Sequence, residues 1–175
     1  MIIPESVTFE DAIALTESIM TQIIEGNLSQ TEAGAAIAAL VATENGSRGF
    51  FVAYLTSPGI LADNPSPEIV DGLRSSPDTV AEILVKNLAM SSAMAITHRR
   101  NSDEEMARES DKVRSRTSRI IEAVALPQVR EFALALRESA ITGEGGYKAF
   151  LDRWQYDAQQ REVICQVIDR LIANG

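Results

Sequence analysis

The chain has 175 residues, a formal net charge of −9, and 45% apolar, 23% charged and 5% aromatic residues. That length allows one domain with a real core, and the apolar fraction is that of a globular chain. The acidic balance argues against general nucleic-acid binding and against a surface for anionic lipid, because neutralising phosphate needs a basic face. A single cysteine, Cys165, and a single histidine, His98, exclude an intramolecular disulfide, a multi-Cys metal site and His-rich zinc chemistry.

Taken in order, Thr8-Phe9-Glu10-Asp11 opens a first helix, with Val7 placed to fold over its first turn. It carries Ile13, Leu15, Ile19, Met20, Ile23 and Ile24, and ends at Glu25-Gly26, where Gly takes the left-handed cap. Ser29-Gln30-Thr31-Glu32 is a capping box for a second helix, Thr31 to Thr43, whose interior, Ala33 to Ala42, is mostly Ala and Gly with Ile37, Leu40 and Val41 among them. Such small side chains let another helix approach closely. Asn45-Gly46 reads as its stop. The piece from Ile23 to Ala42, Ser-x-x-Glu followed by small apolar residues, is similar to the helical hairpin that opens the N-terminal domain of anthranilate phosphoribosyltransferase-like enzymes. The glycine-rich phosphate loop of that family is absent downstream, so the likeness ends with those residues.

Gly46-Ser47-Arg48-Gly49 reads as a turn that could offer backbone N–H groups and a guanidinium to an anion. The apolar run Phe50 to Leu55 follows. It is either a short helix or a strand that pairs with its copy in a second chain, since a lone strand leaves its backbone groups unsatisfied. After a loop rich in Pro, Ser66-Pro67 starts a short helix through Val70 to Leu73.

From Ser76 to Leu126 no Pro or Gly occurs beyond Pro77, so the stretch is one long helix or two joined end to end. Ser76 and Pro77 start it, and Pro127 stops it. Its first half is apolar on most sides, with Val80, Leu84 and Leu88 on one face and Ile83, Met90 and Met94 widening it. Its second half keeps one narrow stripe, Met106, Ser110, Val113, Thr117, Ile120 and Val124, at coiled-coil-like spacing. Ser102-Asp103-Glu104-Glu105 reads as a capping box that would restart the helix after a break near His98–Asn101. An unbroken rod would run roughly 75 Å at 1.5 Å per residue. Arg99, Arg100, Lys112, Arg114, Arg116 and Arg119 are interleaved with acids, and Glu104–Arg108, Glu109–Lys112 and Asp111–Arg114 have ion-pair spacing.

Pro127 also opens a further helix through Ala140. Gly143-Glu144-Gly145-Gly146 is the clearest hinge, and Tyr147 to Ile172 reads as the last helix, with Cys165 among apolar neighbours. The expected fold is all-α, a single-domain bundle (1–175) of about seven helices around the long central helix or helix pair. The start Met1-Ile2-Ile3 lacks a basic region and is broken by Pro4, and no run approaches a membrane span. The cytosol is therefore the expected compartment.

No catalytic constellation emerges. His98 has no orienting carboxylate in view, and Glu105–Glu109 lacks a facing acidic pair to grip a metal ion. No cofactor is implied. The leading expectation is a cytoplasmic interaction or regulatory protein without catalytic activity, binding a protein partner or itself as a homo-oligomer. Met106, Val113, Ile120 and Val124 would form its contact row, with Arg99, Arg100, Arg114 and Arg116 steering the partner. The alternative is a helical domain that binds a small molecule or anion through Arg48, Tyr54, His98 and Arg99, extending to a metal-dependent enzyme acting on phosphate compounds.

Overall fold

A computed structural model describes residues 2–4 and 6–174; Met1, part of the apolar start, lies outside them. The fold is all-α. Among the described residues are nine α-helices, one 3-10 turn (Leu61–Asp63) and no strand. The α-helices are α1 (Phe9–Ile24), α2 (Gln30–Val41), α3 (Glu44–Thr56), α4 (Pro67–Arg74), α5 (Pro77–Arg100), α6 (Glu104–Val124), α7 (Pro127–Thr142), α8 (Lys148–Arg153) and α9 (Ala158–Asn174). They group into two compact units, Met1–Ile83 with Arg119–Leu126, and Leu84–Ser118 with Pro127–Gly175.

In the first unit α1 packs on α3, and α2 packs on both α3 and α4. The helix starts follow the sequence closely. Thr8 accepts the Asp11 N–H at 3.1 Å, and Ser29 and Glu32 form the reciprocal capping box. The run Phe50 to Leu55 is helical, and Phe50, Phe51 and Tyr54 are buried and in ring contact.

The glycines explain how closely these helices approach. A Cβ at Gly34 would lie 2.5 Å from the Glu68 carbonyl oxygen, and one at Gly72 would lie 2.5 Å from the Gly34 carbonyl oxygen. α2 and α4 therefore cross backbone to backbone. Gly49 does the same for α1 and α3, where a Cβ would meet the Phe9 carbonyl oxygen at 2.6 Å. Gly46 overturns the expectation of a helix stop. Thr43 caps α3, and Gly46 sits in its first turn, so close to the Leu40 carbonyl that no side chain fits. The reading of Asn-Gly as a terminator fails because this Gly serves packing rather than a left-handed turn.

Arg74 closes the other end of this unit. Its Nε and Nη2 donate to the carbonyls of Val124 and Ala123 at 3.0 and 2.9 Å, satisfying the last turn of α6. Ala125 then turns left-handed (φ 48°) and Pro127 starts α7.

In the second unit α7 packs on α8 and α9. The expected single helix from Tyr147 to Ile172 is two. Trp154 to Asp157 break it, with Gln155 at φ 53°. Asp157 then starts α9 through a reciprocal cap: its carboxylate accepts the Gln160 N–H at 3.0 Å, and Gln160 Oε1 accepts the Asp157 N–H at 3.1 Å. The Gly143–Gly146 stretch is a pinned turn. Ser139 Oγ, fully buried, accepts the Tyr147 N–H at 3.1 Å, and Lys148 donates to the Gly143 carbonyl. Cys165, expected in the core, is only half-buried, and burial still pushes its thiol pKa up, away from the reactive thiolate.

Contrary to expectation, one helix among the described residues, α5, is long and apolar enough to cross a membrane by length and composition alone. Of that apolar window 56% is buried inside the fold, with Val80, Leu84 and Leu88 in the core.

The α2–α4 crossing yields a test. Gly→Ala in a helix normally gains about 0.5–1 kcal/mol. Gly72→Ala must instead push α4 off the Gly34 carbonyl, so a net loss of about 1–3 kcal/mol is expected. Urea unfolding should show a lower midpoint with an unchanged slope.

Candidate interaction surface

The turn between α5 and α6 organises the charged surface of the second unit. α5 ends in a six-residue hydrogen-bonded loop: the Asp103 N–H donates to the His98 carbonyl at 2.8 Å and the Ser102 N–H to the Arg99 carbonyl at 3.1 Å. Ser102 takes the left-handed conformation (φ 59°) where Gly is usual. The cap of α6 is therefore Asp103, whose carboxylate accepts the Met106 N–H at 3.1 Å. The expected Ser102–Glu105 capping box is displaced by one residue, because Ser102 is occupied in finishing α5.

The chain reverses here. Arg99 Nη2 lies 2.6 Å from Asp111 Oδ2. Twelve residues along a continuous helix would separate them by about 18 Å. Arg99 also reaches Glu104 at 3.4 Å, and Asp111 holds Arg114 at 3.0 Å. The hydrogen bond that Arg99 donates to Asp111 is the main cause of its raised pKa. All three ion pairs expected from spacing are present: Arg108–Glu104 at 3.9 Å, Lys112–Glu109, and Arg114–Asp111. Arg100 meets Asp157 at 2.5 Å and also donates to Gln159. From α9, Gln160 Nε2 donates to the Ala93 carbonyl at 3.1 Å and to Thr97 Oγ1 at 2.8 Å, so α9 is fastened to the last turns of α5.

The expected contact row divides along α6. Met106 is 46% exposed, and Ser110 and Val113 are half-buried. Thr117, Ile120 and Val124 are buried. Ile120 and Val124 are thus core residues, not surface for a partner. Arg116, expected to steer one, is only 2% exposed. The stripe sinks into the core because the same 3–4 spacing suits a core face and a docking face equally well.

The four residues expected to bind a ligand are placed as follows. Arg48 and Tyr54 belong to α3 of the first unit, and His98 and Arg99 to the end of α5 in the second. Arg48 is exposed and lies over the Phe9 ring, 5.4 Å from its centroid. Tyr54 is buried, and its hydroxyl donates to the Leu61 carbonyl at 3.2 Å. His98 is half-buried. The anion-binding turn at Gly46–Gly49 does not exist: these residues are helical. The Gly46 and Ser47 N–H groups bond to Thr43, and Glu44 puts a carboxylate in the first turn. The sequence reading missed Asp157 and Gln160, although Asp-x-x-Gln is a capping signal. The surrounding residues also suit an uninterrupted helix, which masks that signal. Among the described residues no three His, Cys, Asp or Glu side chains converge as metal ligands would.

Residues 8–171 match a family model described as "Uncharacterised conserved protein UCP020893". No curated protein and no solved structure matches the chain.

Two outcomes follow from this geometry. Ser102→Gly should raise stability by about 1 kcal/mol, since it relieves a left-handed non-glycine residue, and a thermal melt reads it directly. The pKa of Asp157 is lowered chiefly by the Arg100 hydrogen bond, and that of Asp152 by the one from Lys148. Their folded values lie below the ordinary 3.8. Their stabilising contribution is therefore complete above that value and lost as pH falls through the folded one. Asp157→Asn should lower the melting temperature at neutral pH and flatten its decline between about pH 5 and 2.

Proposed function

The chain belongs to that uncharacterised conserved family, and we propose that it works by binding protein, as a cytosolic homo-oligomer, through the N-terminal half of α6. The observation that carries this reading is Met106: a long, flexible apolar side chain, 46% exposed, in one row with half-buried Val113 on a helix otherwise covered by charge. Arg114 follows Val113 on the same helix, and Arg99, Arg100 and Arg114 are each already held by a carboxylate of the same chain. Held arginines lose less rotamer freedom when a partner docks, which favours association. The docking surface is the Met106–Val113 part of the row alone, with Ser110 between as a hydroxyl that tolerates either water or a partner.

The test is the association state of the parent protein and of Met106→Asp and Val113→Asp, followed by sedimentation across a wide concentration range. The parent should associate, and each variant should weaken association by at least about tenfold while far-ultraviolet circular dichroism stays unchanged. A parent that remains monomeric at the highest concentration removes self-association. A Met106→Asp protein that associates as the parent does removes this surface.

A further inference from the structure

The second unit carries another row, on α7. Val129, Ala133, Leu136 and Ala140 are buried against the unit. On the opposite side Glu131, Leu134, Glu138 and Ile141 follow one another at steps of 3, 4 and 3, all exposed, with Leu134 at 46% and Ile141 at 60%. Leu134 and Ile141 are seven residues apart and so share a line on the helix surface.

The charges beside that line are not balanced. At 100° per residue Glu131 and Glu138 flank it on one side, and Arg130 and Arg137 on the other. Both arginines are drawn towards α9. Arg137 holds Asp169 through two bonds, at 2.6 and 3.3 Å, and Arg130 Nη1 donates to the Ile172 carbonyl at 3.4 Å. Glu131 and Glu138 have no ion-pair partner among the described residues. The line therefore offers two apolar side chains beside two uncompensated carboxylates.

We propose that this outer face of α7 docks a basic amphipathic helix of another protein, its apolar side chains on Leu134 and Ile141 and its lysines or arginines opposite Glu131 and Glu138. Two copies of this face are a poor match for each other. Like carboxylates would oppose along the seam, between chains that each carry a net charge of −9. A cationic helix meets both features at once. The apolar line sets its register, and the acids select its sign and steer its approach. This face is separate from the Met106–Val113 row and does not depend on it.

The probe is a synthetic helical peptide of about three heptads with Leu at a and d and Lys at e and g. Two controls accompany it: the same peptide with Glu for Lys, and the Lys peptide with its residues shuffled. Binding is read by fluorescence anisotropy on the full chain at about 0.15 M salt, where the screening length is about 8 Å. The Lys peptide should bind the parent, and both controls should bind at least about tenfold more weakly. Leu134→Ser with Ile141→Ser, and separately Glu131→Gln with Glu138→Gln, should each weaken binding by about tenfold or more. These are exposed positions, so circular dichroism should report an intact fold. Met106→Asp should bind as the parent does, which separates this face from the one on α6. Failure of the parent to bind the Lys peptide overturns the proposal. So does equal binding of the shuffled peptide, which would show bulk attraction to an acidic protein, or unchanged binding by the α7 variants.

Discussion

The left-handed turn at Ser102 is the constraint on which the organisation of the chain depends. It ends α5 at Arg100 and sends α6 back along it, so one apolar helix and one charged helix each contribute segments to both compact units. A non-glycine residue in this conformation carries a cost of about 1–2 kcal/mol. The compensation is visible locally: two loop hydrogen bonds close the end of α5, Asp103 caps α6, and Arg99 reaches Asp111 across the reversal.

The charged half of α6 acquires its character from the same reversal. Seven basic residues from Arg99 to Arg119 could form a patch for an acidic ligand. Folded, Arg99, Arg100, Arg108, Lys112, Arg114 and Arg119 all lie against carboxylates, and Arg116 is buried. Exposed pairs of this kind each contribute little to stability, about 0–1 kcal/mol. Their larger effect is to leave a surface with no unopposed positive charge. What stands out of it is apolar, Met106 above all. On α7 the same logic runs with the opposite sign: arginines engaged by α9 leave acids beside the exposed Leu134 and Ile141.

Close backbone approach sets the geometry of the first unit. Gly34, Gly72, Gly49 and Gly46 each occupy a place where a Cβ would strike a backbone atom. α2 buries Ile37, Leu40 and Val41 together with the small residues Ala33, Gly34 and Ala36. Its stability rests on close packing against α3 and α4 and on the Ser29–Glu32 cap. In the second unit a polar fastening complements the packing, with Gln160 capping its own helix and bonding to α5 at the same time.

The sequence by itself determined the helical class, the starts at Thr8, Ser29, Ser66 and Ser76, the stop before Pro127 and the three ion pairs along α6. Each depends on residues within one or two turns of each other, so local spacing is enough to specify it. Tertiary structure decided the rest. Whether Met106, Val113, Ile120 and Val124 face water or core cannot be read from a 3–4 repeat, because both environments select the same side chains; packing left Met106 exposed and Val113 half-buried and put Ile120 and Val124 in the core. Whether Gly46 ends a helix or admits a neighbour depends on where the Leu40 carbonyl lies. The break at Trp154–Asp157 has a local signal in Asp157 and Gln160. What selects that break over a continuous helix is the Gln160 amide reaching Ala93 and Thr97, more than sixty residues away in the chain.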